Sequence, residues 1–174
     1  MDRLWSPWRY EYITSGGNEK PEASDCIFCA ISQNPATDEH NLVLHRAEHN
    51  YVVLNRYPYI SGHLLIVPYA HLGEFDSAPK ELTDEMMELT KCCQTALREV
   101  YRPEGYNIGM NLGRPAGAGI ANHIHMHIMP RWAGDTNFMT TVAEARVIPE
   151  DLGITYQKLR QKLPDLIHGL HQRD

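Results

Sequence analysis

The sequence predicts an α+β fold, in which an antiparallel sheet of about five strands packs with one long helix and a C-terminal helix. Three observations lead to this class. Runs of β-branched and aromatic residues come early in the chain, and the links between them are short enough for hairpins. One long segment with helical periodicity follows, and two further strand patterns come after it. No internal repeat and no second set of core segments is found, which indicates one domain.

The first three strands are predicted between residues 41 and 67. The run NLVLHRAEHNYVVLNRYPY breaks at residues 47–50, which predicts two strands joined by a tight turn. A Ser-Gly turn signal follows, and His63–Val67 is predicted as the third strand, closed by Pro68.

The long helix is predicted over Pro79–Tyr101, where apolar residues step by four, three, four, four and three positions. A pattern of this kind buries one face of a helix. Pro103 and Gly105 end it. The stepping residues are Leu82, Met86, Leu89, Cys93, Leu97 and Val100.

The remaining elements follow a proline-and-glycine break. A strand is predicted at Tyr106–Leu112, and the loop NLGRPAGAG leads to a last strand at Asn122–Met129, which Pro130 ends. A C-terminal helix is predicted at 149–163, where Pro164 interrupts the chain.

Length and charge limit the function classes. The chain has 174 residues with a formal net charge of -6, which argues against a broad basic surface for nucleic acid. The sequence has no apolar run of about 20 residues and no apolar signal-peptide core in MDRLWSPWRYEY. We therefore expect a cytoplasmic protein with reduced thiols and no membrane partner.

Three segments are predicted along the chain: an N-terminal extension (1–25), a main domain (26–138) and a C-terminal helical extension (139–174). The aromatic residues Trp5, Trp8, Tyr10 and Tyr12 are expected to dock on the body, because exposed tryptophan pairs are unusual.

The segment NHIHMHIMPRW places His123, His125 and His127 at every second position. In a strand these residues share one face at a spacing of about 6.6–6.8 Å, while the intervening apolar residues face the core. Three interpretations are open: a solvated polar face, a catalytic metal centre, or an imidazole that attacks phosphorus. The third is favoured by the preceding loop GRPAGAGIANH, whose glycines let backbone N–H groups approach phosphate oxygens.

The four cysteines form two pairs, of which only Cys92 and Cys93 are adjacent in sequence. Cys26 and Cys29 make a C-x-x-C motif, which is typical of redox pairs and of zinc sites, and no thioredoxin-like strand and helix surround it here. Two cysteines supply half of the four ligands that a closed zinc site needs. Cys92 and Cys93 are predicted to be small core or helix-surface residues.

Taken together, four motifs resemble the histidine-triad (HIT) family of nucleotide hydrolases and transferases. They are CIFC, LNRYPYISGHLLIVPYAH, NLGRPAGAG and HIHMHIM, and the resemblance covers about residues 26–138. LWSPWR near the start and PRWAGDTNF after the triad resemble the bacterial branch related to diadenosine tetraphosphate phosphorylases.

The resemblance implies a covalent mechanism. His125 is expected to attack the α-phosphorus of a nucleotide and to carry the nucleotidyl group, while His127 contacts phosphate oxygens and His63 supports the site by hydrogen bonding. A nearby carbonyl must hold one nitrogen of His125 as an N–H donor, so that the other keeps a lone pair. The expected substrate-binding residues are Asn55 for the ribose and Asn111, Gly117, Ala118 and Gly119 for the phosphates.

One departure from the family concerns this loop. Many members have Gly-Gln-Ser or Gly-Gln-Thr, whereas this chain has Gly117-Ala118-Gly119-Ile120. Phosphate contacts in this loop are then expected from the backbone alone.

The resemblance also implies a structural zinc site formed by Cys26, Cys29, His71 and His123, with no catalytic metal. Unliganded reduced cysteines and a redox pair are the alternatives to zinc at this site.

The expected function is cleavage of dinucleoside polyphosphates, with adenine nucleotides favoured, by a homodimer. A nucleoside phosphoramidase or generic nucleotide hydrolase, a non-catalytic nucleotide-binding module and a metallohydrolase are alternatives. The histidines expected at the surface are His40, His45, His49, His168 and His171.

Overall fold

The computed structural model describes residues 26–136 and 148–170. Within these ranges the strands are β1 (Val43–Arg46), β2 (Asn50–Leu54), β3 (Leu64–Pro68), β4 (Gly105–Gly109) and β5 (Met126–Arg131). The α-helices are α1 (Ile27–Gln33), α2 (Lys80–Tyr101) and α3 (Leu152–Leu170). The aromatic N-terminal segment lies outside the described residues, and the predicted boundaries at residues 25/26 and 138/139 stay predictions. No described helix combines the length and the apolarity that crossing a membrane requires.

The strands form one antiparallel sheet in the order β1-β2-β3-β5-β4. The first three strands are consecutive hairpin neighbours, as their short links predict. The chain then passes through α2 to the far edge of the sheet, and β5 returns between β3 and β4. The predicted α+β class, with a five-stranded antiparallel sheet, one long helix and a C-terminal helix, is confirmed.

The two faces of the sheet contact different helices. Because side chains alternate along a strand, Leu64 and Ile66 belong to the large core with α2 and α3, while Leu65 and Val67 belong to a smaller cluster with α1. His127 is the cross-strand partner of Leu65, so it lies on the same face as α1. The histidine row therefore occupies the side of the sheet that α1 covers.

The predicted long helix matches α2, which begins one residue later than expected. Five of the six stepping residues are buried and Val100 is partly buried; Cys92 and Cys93, predicted as core or helix-surface residues, are core residues. The helix ends at Tyr101. Arg102, the residue after it, has a left-handed φ of 48°, and Pro103 cannot continue the helix. The predicted third strand, His63–Val67, matches β3 within one residue at each end, and β1 and β2 both lie in the run that was predicted to form two strands.

The bounds of two strands, β4 and β5, differ from the predicted ranges. β4 ends at Gly109 instead of Leu112, and β5 covers Met126–Arg131 instead of Asn122–Met129. Pro130 was expected to end the strand but lies inside it. The pairing of β5 with β3 ends at Ile128, so Pro130 has a strand neighbour on one side only, where a sheet tolerates proline.

The C-terminal helix is longer than the predicted 149–163, because α3 continues through Pro164 to Leu170. A proline inside a helix costs about 3 kcal/mol. Leu159, Leu163 and Ile167 are all buried in the large core on either side of it. Each buried side chain of this size contributes about 1.5–3 kcal/mol, so their combined burial exceeds the cost of the proline.

Candidate active site and metal-ligand cluster

His125 is a buried imidazole, 7% exposed, whose two nitrogens have different surroundings. Its Nδ1 lies 2.9 Å from the backbone carbonyl oxygen of His123. A carbonyl only accepts hydrogen bonds, so Nδ1 carries the hydrogen and Nε2 keeps its lone pair. Burial lowers the pKa of His125 below its usual value, and the ring is therefore neutral at pH 7. This is the arrangement that the covalent mechanism requires of a nucleophile.

His127 and His63 form a pair of buried rings beside His125. His63 Nε2 lies 2.8 Å from His127 Nδ1, and His127 Nε2 is buried without a hydrogen-bond partner among the described residues. Burial, with the neighbouring triad histidines as a smaller cause, lowers the pKa of His63 to about 3 and that of His127 to about 4. Both rings are therefore neutral near pH 7, and one buried polar atom of His127 is left for a ligand.

The triad histidines are buried on the α1 side of the sheet and do not form a solvent-exposed row. His123 is fully buried, and Phe28 of α1 lies with its ring centroid 5.4 Å from that of His123 and 5.0 Å from that of His125. The interpretation of the row as a solvated polar face is therefore wrong. His123 and His125 also precede β5, because the N–H of Ile124 donates to Leu72 at 2.7 Å and not to a strand.

Four predicted metal ligands meet beside the triad. The ligand atoms of Cys26, Cys29, His71 and His123 all lie within 4.8 Å of one another. Cys26 Sγ is 3.3 Å from His123 Nδ1, and Cys29 Sγ is 3.2 Å from His71 Nδ1. Two zinc ligands at bond lengths of about 2.0–2.3 Å and tetrahedral angles lie about 3.3–3.8 Å apart, so this spacing fits one ion.

The protonation of these groups also fits a metal. His123 Nε2 lies 2.9 Å from the carbonyl oxygen of Pro68 and therefore carries its hydrogen, which turns the Nδ1 lone pair toward the sulfurs. Burial, with Cys26 as a further cause, raises the pKa of Cys29 to about 11. Without a cation, Cys29 is thus held as a thiol, whereas a metal stabilises the thiolate. Two sulfurs and two imidazoles form a donor set typical of zinc.

A cavity of about 410 Å³ adjoins the triad. Phe28 lines the cavity and contacts His125. Leu65 also lines the cavity and is the cross-strand neighbour of His127. Its lining is mainly apolar with a few polar side chains, a composition typical of small-molecule sites. The apolar lining residues are Ile27, Phe28, Ile31, Val53, Leu54, Leu65 and Ile120; the other lining residues are His40, Asn41, Asn55, Arg56 and Tyr57.

The glycine-rich loop keeps fewer free backbone donors than the sequence suggests. The N–H of Gly117 donates to Arg114 at 2.9 Å, and the N–H of Ala118 donates to Gly113 at 3.3 Å. The N–H of Gly119 has no hydrogen-bond partner within the described ranges. Gly117 has a φ of 96°, which favours glycine, and Asn111 Nδ2 lies 3.5 Å from its carbonyl oxygen.

The comparison with known proteins agrees with this geometry. The HIT domain family model matches residues 36–134. The chain belongs to the HIT family. A Mycobacterium tuberculosis protein named AP-4-A phosphorylase is 38% identical over 165 residues, which cover 91% of this chain and 83% of that protein.

Solved structures of HIT proteins share the fold. A zinc-bound histidine triad family protein from Mycobacterium smegmatis has a TM-score of 0.68 and 28% identity, covering 84% of this chain and 99% of that one. A HIT family member from Bacillus subtilis has a TM-score of 0.57 and 25% identity, covering 86% of this chain and 97% of that one.

Phe28 and Tyr59 in the candidate site were not singled out from the sequence, and neither was the contact between Asn55 and His63. Phe28 contacts two triad histidines, and its place inside CIFC, between two metal ligands, is the signal that could have indicated it. The backbone N–H of Tyr59 donates to His63 Nδ1 at 3.2 Å, and the side chain of Asn55 lies 3.2 Å from the same atom. No local pattern indicates these contacts, because they depend on the path of the loop between β2 and β3.

Proposed function

We propose that this HIT protein cleaves dinucleoside polyphosphates, with diadenosine tetraphosphate as the first substrate to test, through a nucleotidyl-His125 intermediate. The observation that carries the proposal is the 2.9 Å contact between His125 Nδ1 and the His123 carbonyl, which leaves the Nε2 lone pair free. The relative named AP-4-A phosphorylase supports the choice of substrate class.

In the first step a nucleoside occupies the 410 Å³ cavity, where Asn55 is a lining residue that binds the ribose hydroxyls. His125 Nε2 attacks the α-phosphorus, a P–N bond forms, and the bond from phosphorus to the bridging oxygen breaks with its electron pair going to the leaving nucleotide. His127 Nε2 and the Gly119 N–H face the phosphate oxygens as donors, with Asn111 supporting the loop.

In the second step inorganic phosphate or water attacks the same phosphorus. The P–N bond breaks, its electron pair returns to Nε2, and His125 is regenerated. With diadenosine tetraphosphate, phosphate yields ADP and ATP, and water yields AMP and ATP. The acceptor is therefore identified by the smaller product.

We further propose that Cys26, Cys29, His71 and His123 hold a structural zinc ion. A zinc ion with four protein ligands supplies folding free energy and has no open position for water or substrate. Their grouping within 4.8 Å and the zinc-bound relative support this. In this proposal these four residues bind α1 to the segment before β5, and bond breaking belongs to His125. A cytoplasmic location, where thiols stay reduced, is part of the same proposal.

The decisive experiment is incubation with diadenosine tetraphosphate with and without phosphate, followed by mass spectrometry of the protein quenched in alkaline denaturant, because the P–N bond is labile in acid. We expect a mass increase of one adenylate, mapped to His125, and ADP that forms only with phosphate. Release of AMP in plain buffer identifies a hydrolase. Tight nucleotide binding with no product and no adduct identifies a non-catalytic binding module and overturns the proposal.

We also propose a homodimer formed along the free edge of β4. This strand is the last in the sheet order, and Ile108 on it is 42% exposed. An exposed edge strand is a template for pairing with a second copy. Analytical ultracentrifugation is expected to give a dimer for the native chain and a monomer for Ile108→Lys.

A further inference from the structure

Asn55 lies directly after β2, opposite His63. Its backbone N–H donates to the carbonyl of His63 at 2.9 Å, so the two residues face each other where the loop between β2 and β3 begins and ends. Its side chain lines the cavity, where the proposed function gives it a ribose contact. The same side chain also contacts the buried ring of His63.

The orientation of the Asn55 amide follows from its neighbours. The backbone N–H of Tyr57 donates to Asn55 Oδ1 at 3.0 Å, which places the oxygen on that side. The Nδ2 group therefore faces His63 Nδ1 at 3.2 Å. An amide nitrogen only donates, and so does the N–H of Tyr59, which lies 3.2 Å from the same atom. His63 Nδ1 must then be an acceptor without a hydrogen.

The position of the hydrogen on the His63 ring determines the position of the hydrogen on the His127 ring. A neutral His63 that accepts at Nδ1 carries its hydrogen on Nε2, which donates to His127 Nδ1 at 2.8 Å. His127 in turn must carry its hydrogen on Nε2. That atom is buried and unpaired among the described residues, next to the His125 ring, whose centroid is 4.8 Å from that of His127.

We propose that Asn55 is a positioning residue that, together with the backbone N–H of Tyr59 and through His63, fixes the hydrogen of His127 on Nε2. In the opposite tautomer His127 would present a lone pair to the phosphate and repel its oxygens. The role in catalysis rests on the proposed function, whereas the tautomer assignment rests on the hydrogen bonds alone. Asn55 can also bind ribose, because Tyr57 occupies only one of the two lone pairs of Oδ1.

The first test measures the tautomers in the substrate-free, metal-loaded full chain by long-range ¹H–¹⁵N correlation of the histidine rings. We expect hydrogen on Nε2 of both His63 and His127. Asn55→Leu, which lacks the donor, is expected to give a detectable Nδ1–H population on these rings, whereas Asn34→Leu, at an exposed position after α1, leaves the spectrum unchanged. Hydrogen on Nδ1 of either ring in the native chain overturns the proposal.

The second test separates positioning from ribose binding. The substrates are diadenosine tetraphosphate and its analogue without 2′ and 3′ hydroxyls. For a positioning residue, Asn55→Leu lowers kcat about 10- to 100-fold on both substrates, as for other supporting hydrogen bonds. A change confined to KM, and absent with the analogue, means that Asn55 only binds ribose. If the native chain cleaves neither substrate, the proposed function fails, and the tautomer measurement still decides the assignment.

Discussion

His125 differs from an ordinary core histidine in the use of its two nitrogens. A buried imidazole is normally stabilised by partners on both sides, whereas here the His123 carbonyl holds Nδ1 and Phe28 lies against the ring. The ring is thus fixed in position and tautomer before any substrate arrives. Preorganisation of this kind lowers the cost of reaching the transition state.

His125→Ala tests this role at one residue. We expect turnover of diadenosine tetraphosphate to fall by about 10³-fold or more, because the proposed covalent route is lost. The cavity stays, so nucleotide binding by calorimetry should change little. His168→Ala, which removes an exposed histidine on α3, serves as the matched control. Turnover that survives in His125→Ala contradicts the covalent mechanism.

The buried histidines also predict acid sensitivity. His63 and His127 have folded pKa values of about 3 and about 4, below the ordinary 6.5, because burial penalises the charged ring. Between about pH 4 and 6.5 the unfolded chain therefore binds more protons, and the free energy of unfolding falls as the pH falls. Each such group contributes at most about 1.4 kcal/mol per pH unit.

Urea unfolding at pH 7.0 and 5.0 measures this dependence. His127→Gln retains a polar side chain that does not titrate, so its free energy of unfolding should fall less than that of the native chain over the same interval. Both proteins keep the same metal-ligand cluster, so the difference reports His127 together with its effect on the pKa of His63. Equal losses in the two proteins contradict the assigned pKa of this histidine.

At the residue scale, sequence patterns and family resemblance predicted much of the site. The alternation in HIHMHIM predicted that the histidines share a side, and the resemblance named Cys26, Cys29, His71 and His123 as one cluster. The burial of the row was not predicted, because α1, which covers it, comes from a segment about a hundred residues earlier. The coupling of Asn55 to His63 depends on loop geometry that no spacing reveals.

At the scale of elements, α1 is held in place by a side chain of β1. Arg46 forms a bidentate pair with Asp38 and donates to the carbonyl oxygens of Ile31 and Ser32 at 2.8 and 3.0 Å. These carbonyls belong to the last turn of α1, where a cation is favourable. Arg46 thus fixes the end of α1 opposite to the metal ligands.

Arg46→Met removes these bonds and keeps most of the aliphatic stem. We expect a loss of about 1.5–3 kcal/mol in the free energy of unfolding by urea, the range for hydrogen bonds to charged groups. Lys91→Met on α2, which breaks an exposed pair with Glu88, is the matched control and should cost much less. Similar losses in the two variants contradict an anchoring role for Arg46.

The predicted bounds of helices and strands were accurate where the local sequence preference and the tertiary contacts favour the same structure. α2 has a clean helical period and ends with proline, so its bounds were predicted within a residue. α3 was predicted too short because the local cost of Pro164 is offset by the burial of Leu163 and Ile167 against other elements. β5 was misplaced because its pairing with β3 starts only at Met126.

At the scale of the whole molecule, the metal-ligand cluster joins segments that are far apart in sequence. Cys26 and Cys29 come from the start of α1, His71 from the loop after β3, and His123 from the segment before β5. The backbone carbonyl of the same His123 orients His125. A metal at this place would therefore stabilise the tertiary arrangement that positions the proposed nucleophile.

Metal removal tests this link in the intact chain. We expect about one zinc per chain by elemental analysis, and a lower melting temperature after chelation, because zinc binding is coupled to folding in such sites. Cys29→Ala should lose the zinc, whereas Cys93→Ala, which replaces a buried cysteine of α2, should keep it. In the proposed mechanism His125, and not the metal, breaks the bond, so the chelated protein that stays folded at low temperature should still form the adenylate adduct. A chelated protein that is fully folded, yet forms no adduct until zinc is restored, contradicts a purely structural metal and assigns it to the chemistry.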